Sequence, residues 1–189
     1  VLLQNILCIN TSQRVDFSYT ERQDCNDKLI SQVSLVNTLD NTTARTFSLN
    51  FQHITSSVAS QYQGETETGI DKAPYLNTLT ESAPGSGVTG KIHRFTYLDP
   101  ESRPRRLSYS QDHWGYFNGQ HNNSLLPRPS VSNSQLNGWF PYCTANREPE
   151  GKFAQKGLLS KITYPTGGAD SLVYESNSYV NPYGGRRLQ

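Results

Sequence analysis

The loop SYSQDHWGYFNGQHNNS, residues 108–124, contains several residue types that serve in catalytic, metal-binding or sugar-binding sites. It holds an aspartate and two histidines, which are potential donors to a metal ion, and aromatic rings on which a sugar could stack. These residues are Asp112, His113, Trp114, Tyr116, Phe117 and His121. Metal sites use three or four ligands at defined spacing, and no HxxH or HExxH pattern is present. We therefore predict no metal site and no catalytic residues here.

A structural interpretation accounts for more of the same loop. Gly115 and Gly119 permit backbone corners, and Asn118 with Gly119 forms a strong turn dipeptide. The aromatic rings would then close the edge of a sheet. Two interpretations stand, a structural corner, which we favour, and a ligand surface. Both involve Asp112, His113, Trp114, Tyr116, Asn118 and Gly119.

Other catalytic patterns are missing from the sequence. No serine lies in a GxSxG elbow, and the glycine-rich stretches PGSGVTG and YGGRR lack the spacing of a phosphate-binding loop. Glu65 and Glu67 lie in a polar loop, where solvated carboxylates are the default. His53 and His93 lie in alternating stretches and are interpreted as ordinary strand residues. The sequence thus predicts no enzyme and no cofactor.

Charge and hydropathy exclude two further classes of partner. The formal net charge is +1, and the dense basic run Arg103, Arg105 and Arg106 is interpreted as a solvated loop, so no nucleic-acid partner is predicted. No stretch approaches the ~20 apolar residues of a membrane-spanning helix. Hydrophobic content is only 34%, but 11% of the residues are aromatic and supply large buried areas, which argues against disorder.

Alternation of apolar and polar residues with a period of two is the dominant pattern. It predicts half-buried antiparallel strands around RVDFSYT, RTFSLNF, KIHRFTY and LLSKITY. YPTGGADS supplies the clearest hairpin turn, and SAPGSGVTG joins a strand near 76–79 to one at 92–97. One short helix is predicted near 149–156, stopped by Gly157.

The fold class that follows is mainly β, with irregular antiparallel hairpins forming a curved sheet or a sandwich. We expect residues 1–189 to be a single β-rich segment, with a potential sub-boundary in the loop 121–138. The chain begins without Met inside the apolar run VLLQNILCI, which favours a segment of a larger polypeptide. Three scattered cysteines leave a Cys8–Cys25 disulfide and free thiols both open, with Cys143 left over.

Several stretches together resemble Rhs-type proteins, which contain YD repeats. GLLSKITYPTGGADSLVYE is similar to the strand-turn-strand repeat unit, with a tyrosine near the end of each strand. RVDFSYTERQD, KLISQVSL, RRLSYSQDHWGYFNG and ANREP precede it, in an order similar to the region before the YD repeats of very large bacterial surface or secreted proteins. The terminal YGGRRLQ resembles the entry into a further strand.

The resemblance implies a scaffold that continues into an Rhs-type β-shell, often built around a toxic C-terminal cargo. It also implies secretion or display at the cell surface, with export across the outer membrane by a type IX translocon as a plausible route. The expected partners are therefore the rest of the same polypeptide and that translocon. The alternative from the residues themselves is a glycan-binding β-sandwich module acting through Trp114, Tyr116 and Trp139.

Overall fold

The computed structural model describes most of the chain, namely residues 2–8, 10–58, 69–85, 90–127, 143–176, 179–180 and 187–188. Its strands, in chain order, are β1 (Asn5–Cys8), β2 (Gln13–Glu21), β3 (Lys28–Asn37), β4 (Thr43–Thr55), β5 (Lys72–Ser82), β6 (Lys91–Tyr97), β7 (Leu159–Thr163), β8 (Ala169–Ser171), β9 (Tyr179–Val180) and β10 (Arg187–Leu188). Its helical turns are a 3₁₀ turn at Pro100–Ser102 and the α-helix α1 at Gly151–Ala154.

Strands β1 to β8 form one sheet in which each strand lies beside its neighbour in sequence. The pairs β1/β2, β2/β3, β3/β4, β5/β6 and β7/β8 are all antiparallel. Strands β9 and β10 form a separate antiparallel pair. The prediction of a mainly β fold built from antiparallel hairpins is confirmed.

The strand register collects the alternating apolar residues on one side of the sheet. Phe17 in β2 pairs with Val33 in β3, which pairs with Phe47 in β4. Val15 pairs with Leu35 in the same way. Because residues paired across antiparallel strands project to the same side, these side chains form continuous rows. We call this side the apolar face of the sheet.

The opposite side of the same strands is polar apart from Val36, which is buried. Asp16 in β2 pairs with Ser34 in β3, which pairs with Thr46 in β4. The Arg14 guanidinium donates to both Asp16 carboxylate oxygens, at 2.7 and 2.9 Å, and Gln32 donates to the Ser34 hydroxyl at 2.9 Å. The separation of the two faces is what the period of two predicts.

The side chains of the apolar face are only partly buried. In the described part of the chain the buried hydrophobic residues are Val36, Ile70 and Ala145, and none of these belongs to the apolar rows. Phe17, for example, keeps intermediate exposure. A sheet with one apolar side normally buries that side against another layer, so the rows provide surface on which such a layer could pack.

Contacts divide the chain into two compact units. The first, which we call the sheet unit, comprises Val1–Ile54, Lys72–Thr96 and Leu159–Leu172. The second, the loop unit, comprises Thr55–Asp71, Tyr97–Leu158 and Val173–Gln189. The loop unit contains the loop 108–124 and helix α1. Of the predicted sub-boundary region 121–138, residues 128–138 lie outside the described residues.

The short helix occurs where it was predicted and is a single turn. α1 covers Gly151–Ala154, with Glu150 as its N-cap, so Pro149 precedes the helix instead of lying in its first turn. Gly157, which ends the turn that follows the helix, has a φ of 82°, a left-handed conformation that favours glycine. Neither helical turn of the described residues has the length or the hydropathy of a membrane-spanning helix.

The three cysteines are free thiols. Cys8 lies exposed in the outer strand β1, whereas Cys25 and Cys143 are partly buried. Of the two alternatives left open by the sequence, the structure has the free thiols.

Candidate functional site

The Asp112 carboxylate lies at the centre of a tight backbone corner. Asp112 is only 3% exposed, and its Oδ1 accepts hydrogen bonds from the N–H groups of Trp114 at 2.8 Å and Tyr116 at 2.9 Å. Its own N–H donates to the Tyr116 carbonyl at 2.8 Å. This is the local turn geometry that aspartate favours. Oδ1 is therefore engaged with the main chain.

Arg147 fastens this corner to a more distant part of the loop unit. Its Nε donates to the Asp112 carbonyl at 3.1 Å, Nη2 donates to the same oxygen, and Nη1 donates to the Leu125 carbonyl at 3.2 Å. The planar guanidinium presents several donors in a fixed fork and so spans two carbonyls at once. No local pattern in the sequence predicts this role for Arg147, because its partners are distant along the chain.

Asn118 is completely buried and is hydrogen-bonded at both ends of its amide. Its Nδ2 donates to the carbonyls of Asn146 at 2.9 Å and Glu148 at 3.1 Å, and its Oδ1 accepts from the Gln120 N–H at 3.2 Å. Asn118 thus joins the loop 108–124 to the segment before helix α1.

Asn122 makes a second amide link between the same two segments. It is 4% exposed; its Nδ2 donates to the carbonyls of Tyr109 at 3.1 Å and Asn146 at 2.9 Å. Its Oδ1 accepts from the Asn146 N–H at 2.9 Å. In the sequence Asn122 begins an N-x-Ser triplet in a predicted turn, and no local pattern there predicts its link to Asn146.

The two glycines of the loop both adopt left-handed backbone conformations, with different surroundings. Gly119 has a φ of 70°, and a Cβ added there would lie 2.5 Å from the Phe153 ring. That ring also packs edge-on against Phe117, with centroids 5.5 Å apart. Gly115 has a φ of 91° and nothing within 4 Å of an added Cβ. Gly119 is required for packing as well as for its φ.

The remaining predicted site residues point outward. His113 is exposed, Trp114 is 58% exposed and Tyr116 is 62% exposed. The His113 and Trp114 rings meet edge to face, with centroids 6.4 Å apart and planes at 90°. Trp139, the third aromatic residue of the glycan hypothesis, lies outside the described residues.

The histidines and acidic residues of the described ranges lie apart from one another or bind the protein's own groups. No cluster of three or more histidine, cysteine, aspartate or glutamate side chains suited to a metal ion occurs among the described residues. His53, in β4, accepts the Gln23 N–H at 3.2 Å. His93, in β6, packs edge-on against Tyr164 at 5.8 Å. Glu65 and Glu67 belong to the residues that the structure does not describe.

The interpretation of the basic run as a solvated loop is wrong for Arg103. This residue is 9% exposed, and its guanidinium donates to the carbonyls of Asp71 at 2.7 Å and Pro104 at 3.0 Å. Arg105 likewise donates to the Val58 carbonyl at 3.0 Å. Both arginines hold backbone segments of the loop unit together, a role that depends on contacts distant in sequence.

Comparison of this chain with protein-family models, with curated proteins and with solved structures finds no match in any of the three.

Proposed function

We propose that this chain is a structural scaffold, the wall-forming segment of a larger Rhs-type protein that is secreted or displayed on the cell surface. The observation that carries the proposal is the continuous sheet whose apolar face is only half-buried. Phe17, Val33 and Phe47 lie in one row across three strands. Burying such a row against another layer stabilises a sheet by roughly 25 cal/mol for each Å² removed from water, so we infer that further polypeptide covers it.

The use of the polar side chains supports a scaffold over an enzyme. Asp112 and Asn118, the two buried polar residues among the predicted site residues, hold backbone N–H and carbonyl groups in place. Arg103 and Arg147 do the same through their guanidinium groups. Polar side chains that bind the protein's own backbone in this way hold loops in place. A catalytic site instead needs polar groups directed at a substrate.

The resemblance to YD-repeat proteins supplies the wider setting of the proposal. In this setting the partners are the YD repeats and the C-terminal cargo of the same polypeptide, and export proceeds through a type IX outer-membrane translocon. Removing the translocon from a bacterium that makes the full-length polypeptide should then retain that polypeptide inside the cell. Its undiminished appearance in the medium would contradict the export route while leaving the scaffold role to a separate test.

The scaffold role is tested by thiol labelling on the two sides of β4. Leu49 follows the alternation of Phe47 onto the apolar face, and its neighbour Asn50 is exposed on the opposite face. With the native cysteines replaced by serine, Leu49→Cys and Asn50→Cys each place one thiol. We expect maleimide to label the Leu49→Cys thiol much more slowly in the full-length polypeptide than in the isolated 189-residue chain.

The Asn50→Cys variant is the matched control, and its labelling should be similar in both proteins. Equal labelling of the Leu49→Cys thiol in the two proteins would mean that nothing covers the apolar face, and the scaffold proposal would fail.

A further inference from the structure

We propose that residues 113–116, here called the aromatic tip, form a binding surface for neutral carbohydrate, with a pyranose ring stacking on the Trp114 indole. This inference goes beyond the scaffold role and stands on a different unit of the chain. It rests on four features of the tip, which are the exposure of its rings, the fixed backbone beneath them, the open space at Gly115 and the charge of their surroundings.

The first feature is exposure. Trp114 and Tyr116 are the aromatic members of the exposed large hydrophobic residues in the described ranges, and the other members are aliphatic. Tryptophan is largely buried on average in folded proteins. Each of these two rings, more than half exposed, therefore offers apolar surface with a polar group at its edge.

The second feature is the fixed backbone. The Asp112 carboxylate accepts hydrogen bonds from the N–H groups of Trp114 and Tyr116, the same two residues whose rings are exposed. Arg147 then anchors the Asp112 carbonyl from the other side. Binding to a surface that is already ordered loses less conformational entropy, so a weak stacking contact contributes more of its energy to affinity.

The third feature is space. An added Cβ at Gly115 would meet nothing within 4 Å, so a ligand can approach the backbone at this residue, next to Trp114 in the chain. The edge-on contact of His113 restrains the indole from one side. A flat ring that is 58% exposed offers a platform, whereas an aliphatic side chain of a peptide partner requires a concave pocket.

The fourth feature is charge. Oδ1 of Asp112 faces inward onto N–H groups, and the Arg147 guanidinium donates to the Asp112 and Leu125 carbonyls. The tip itself carries no carboxylate, lysine or arginine. A neutral ligand fits this surface best. Gluco-configured β-pyranoses have equatorial hydroxyls and therefore present flat C–H faces, which suit stacking on an aromatic ring.

The test uses cellotriose and chitotriose as probes, with saturation-transfer NMR on the 189-residue chain at millimolar sugar. We expect transfer to the C–H protons of a sugar ring, and we expect Trp114→Ala to weaken binding by about fivefold or more, the effect of losing one aromatic stacking contact. Trp114→Phe should recover part of the affinity because it keeps a ring. Leu107→Ala, which removes an aliphatic side chain that is 71% exposed, is the control and should leave binding unchanged.

Three outcomes would overturn the proposal. They are the absence of transfer to either probe, equal losses in Trp114→Ala and Leu107→Ala, and stronger binding of the anionic sugar sialyllactose than of the neutral probes. Circular dichroism of each variant verifies that it is folded. If a Trp114 variant does not fold, Tyr116→Ala takes its place, and unchanged binding in that variant would count against the tip.

Discussion

The buried amide of Asn118 allows a test in which a change of one atom makes stability depend on pH. Asn118→Asp keeps the shape of the side chain but replaces the donor Nδ2 with an oxygen. That oxygen would face the carbonyls of Asn146 and Glu148, which now accept hydrogen bonds at 2.9 and 3.1 Å. The variant therefore exchanges two attractive contacts for two repulsive ones in a site with no exposure.

The size of the effect follows from these contacts. Each neutral hydrogen bond contributes about 1 kcal/mol, and a buried polar group left without its partner costs about 1–3 kcal/mol. Asn118→Ala, which also removes the acceptor of the Gln120 N–H, should lose about 2–4 kcal/mol of the free energy of unfolding. Asn118→Asp should lose about 3–5 kcal/mol when its carboxylate is charged, because a removed partner leaves a buried charge uncompensated.

The sign of the pH dependence can be stated in advance. Burial and the two facing carbonyls disfavour the charged carboxylate, so the pKa of the introduced Asp is raised in the folded state above its unfolded value of about 3.9. A group with a raised folded pKa contributes stability below its unfolded pKa and loses it as pH rises through the folded pKa. Protonated, the carboxyl can also donate one of the two lost bonds. Asn118→Asp should thus be at least as stable as Asn118→Ala near pH 4 and less stable near pH 7.

Urea unfolding followed by tryptophan fluorescence and by hydrogen exchange in residues 143–150 measures these differences. Asn123→Asp is the matched control, because Asn123 is an exposed neighbour in the same loop. Its stability relative to the unsubstituted chain should change little between the two pH values. If Asn118→Asp lost less than about 0.5 kcal/mol at neutral pH, the range typical of surface substitutions, the inferred role of the buried amide would be refuted.

Two further predictions concern turns. Gly119→Ala should lose about 2–4 kcal/mol, because left-handed strain adds to the clash of its Cβ with the Phe153 ring. Gly115→Ala, which meets no neighbour, should lose only about 1–2 kcal/mol, and equal losses in urea unfolding would contradict the packing argument. The Thr42 hydroxyl, and secondly the Thr42 N–H, lower the pKa of Asp40. Thr42→Val should raise the pKa of Asp40 toward its ordinary value, as measured by carboxyl ¹³C NMR titration. The depressed pKa contributes stability that is present above the unfolded-state pKa and is lost as the pH falls through the folded-state pKa, so the variant should reduce this contribution. An unchanged pKa of Asp40 in the variant would contradict the prediction.

The strands were predictable because their pattern is local. Alternation in RVDFSYT and RTFSLNF places Phe17 and Phe47 on one face, and the register bears this out. The irregularity between Ser18 and Tyr19 of β2 was not predictable, because it depends on which residue of β3 is left unpaired. Nor does the period of two reveal how much of the apolar face is covered, since coverage depends on what packs against it.

The site was predictable only where its signals are adjacent in sequence. The dipeptide Asn118-Gly119 predicted a backbone corner, and the spacing from Asp112 to Tyr116 suits a local turn. The partners of Arg147 lie 35 residues away at Asp112 and 22 residues away at Leu125. Hydrogen bonds of this kind depend on the tertiary path of the loop, and a single sequence carries no pattern for them.

The sequential order of the sheet bears on how the chain acquires its structure. Strands that are neighbours in the sheet and consecutive in the sequence can pair one hairpin at a time, and such local contacts favour rapid folding. The join between β6 and β7 differs, because residues 98–158 must first close into a loop, whereas 56–71 suffice between β4 and β5. Two doublings of loop length at about 0.6 kcal/mol each raise the entropic barrier of that closure by about 1.2 kcal/mol. A nascent chain emerging with its N-terminus first would assemble six strands early and add the last hairpin as a late, slower event.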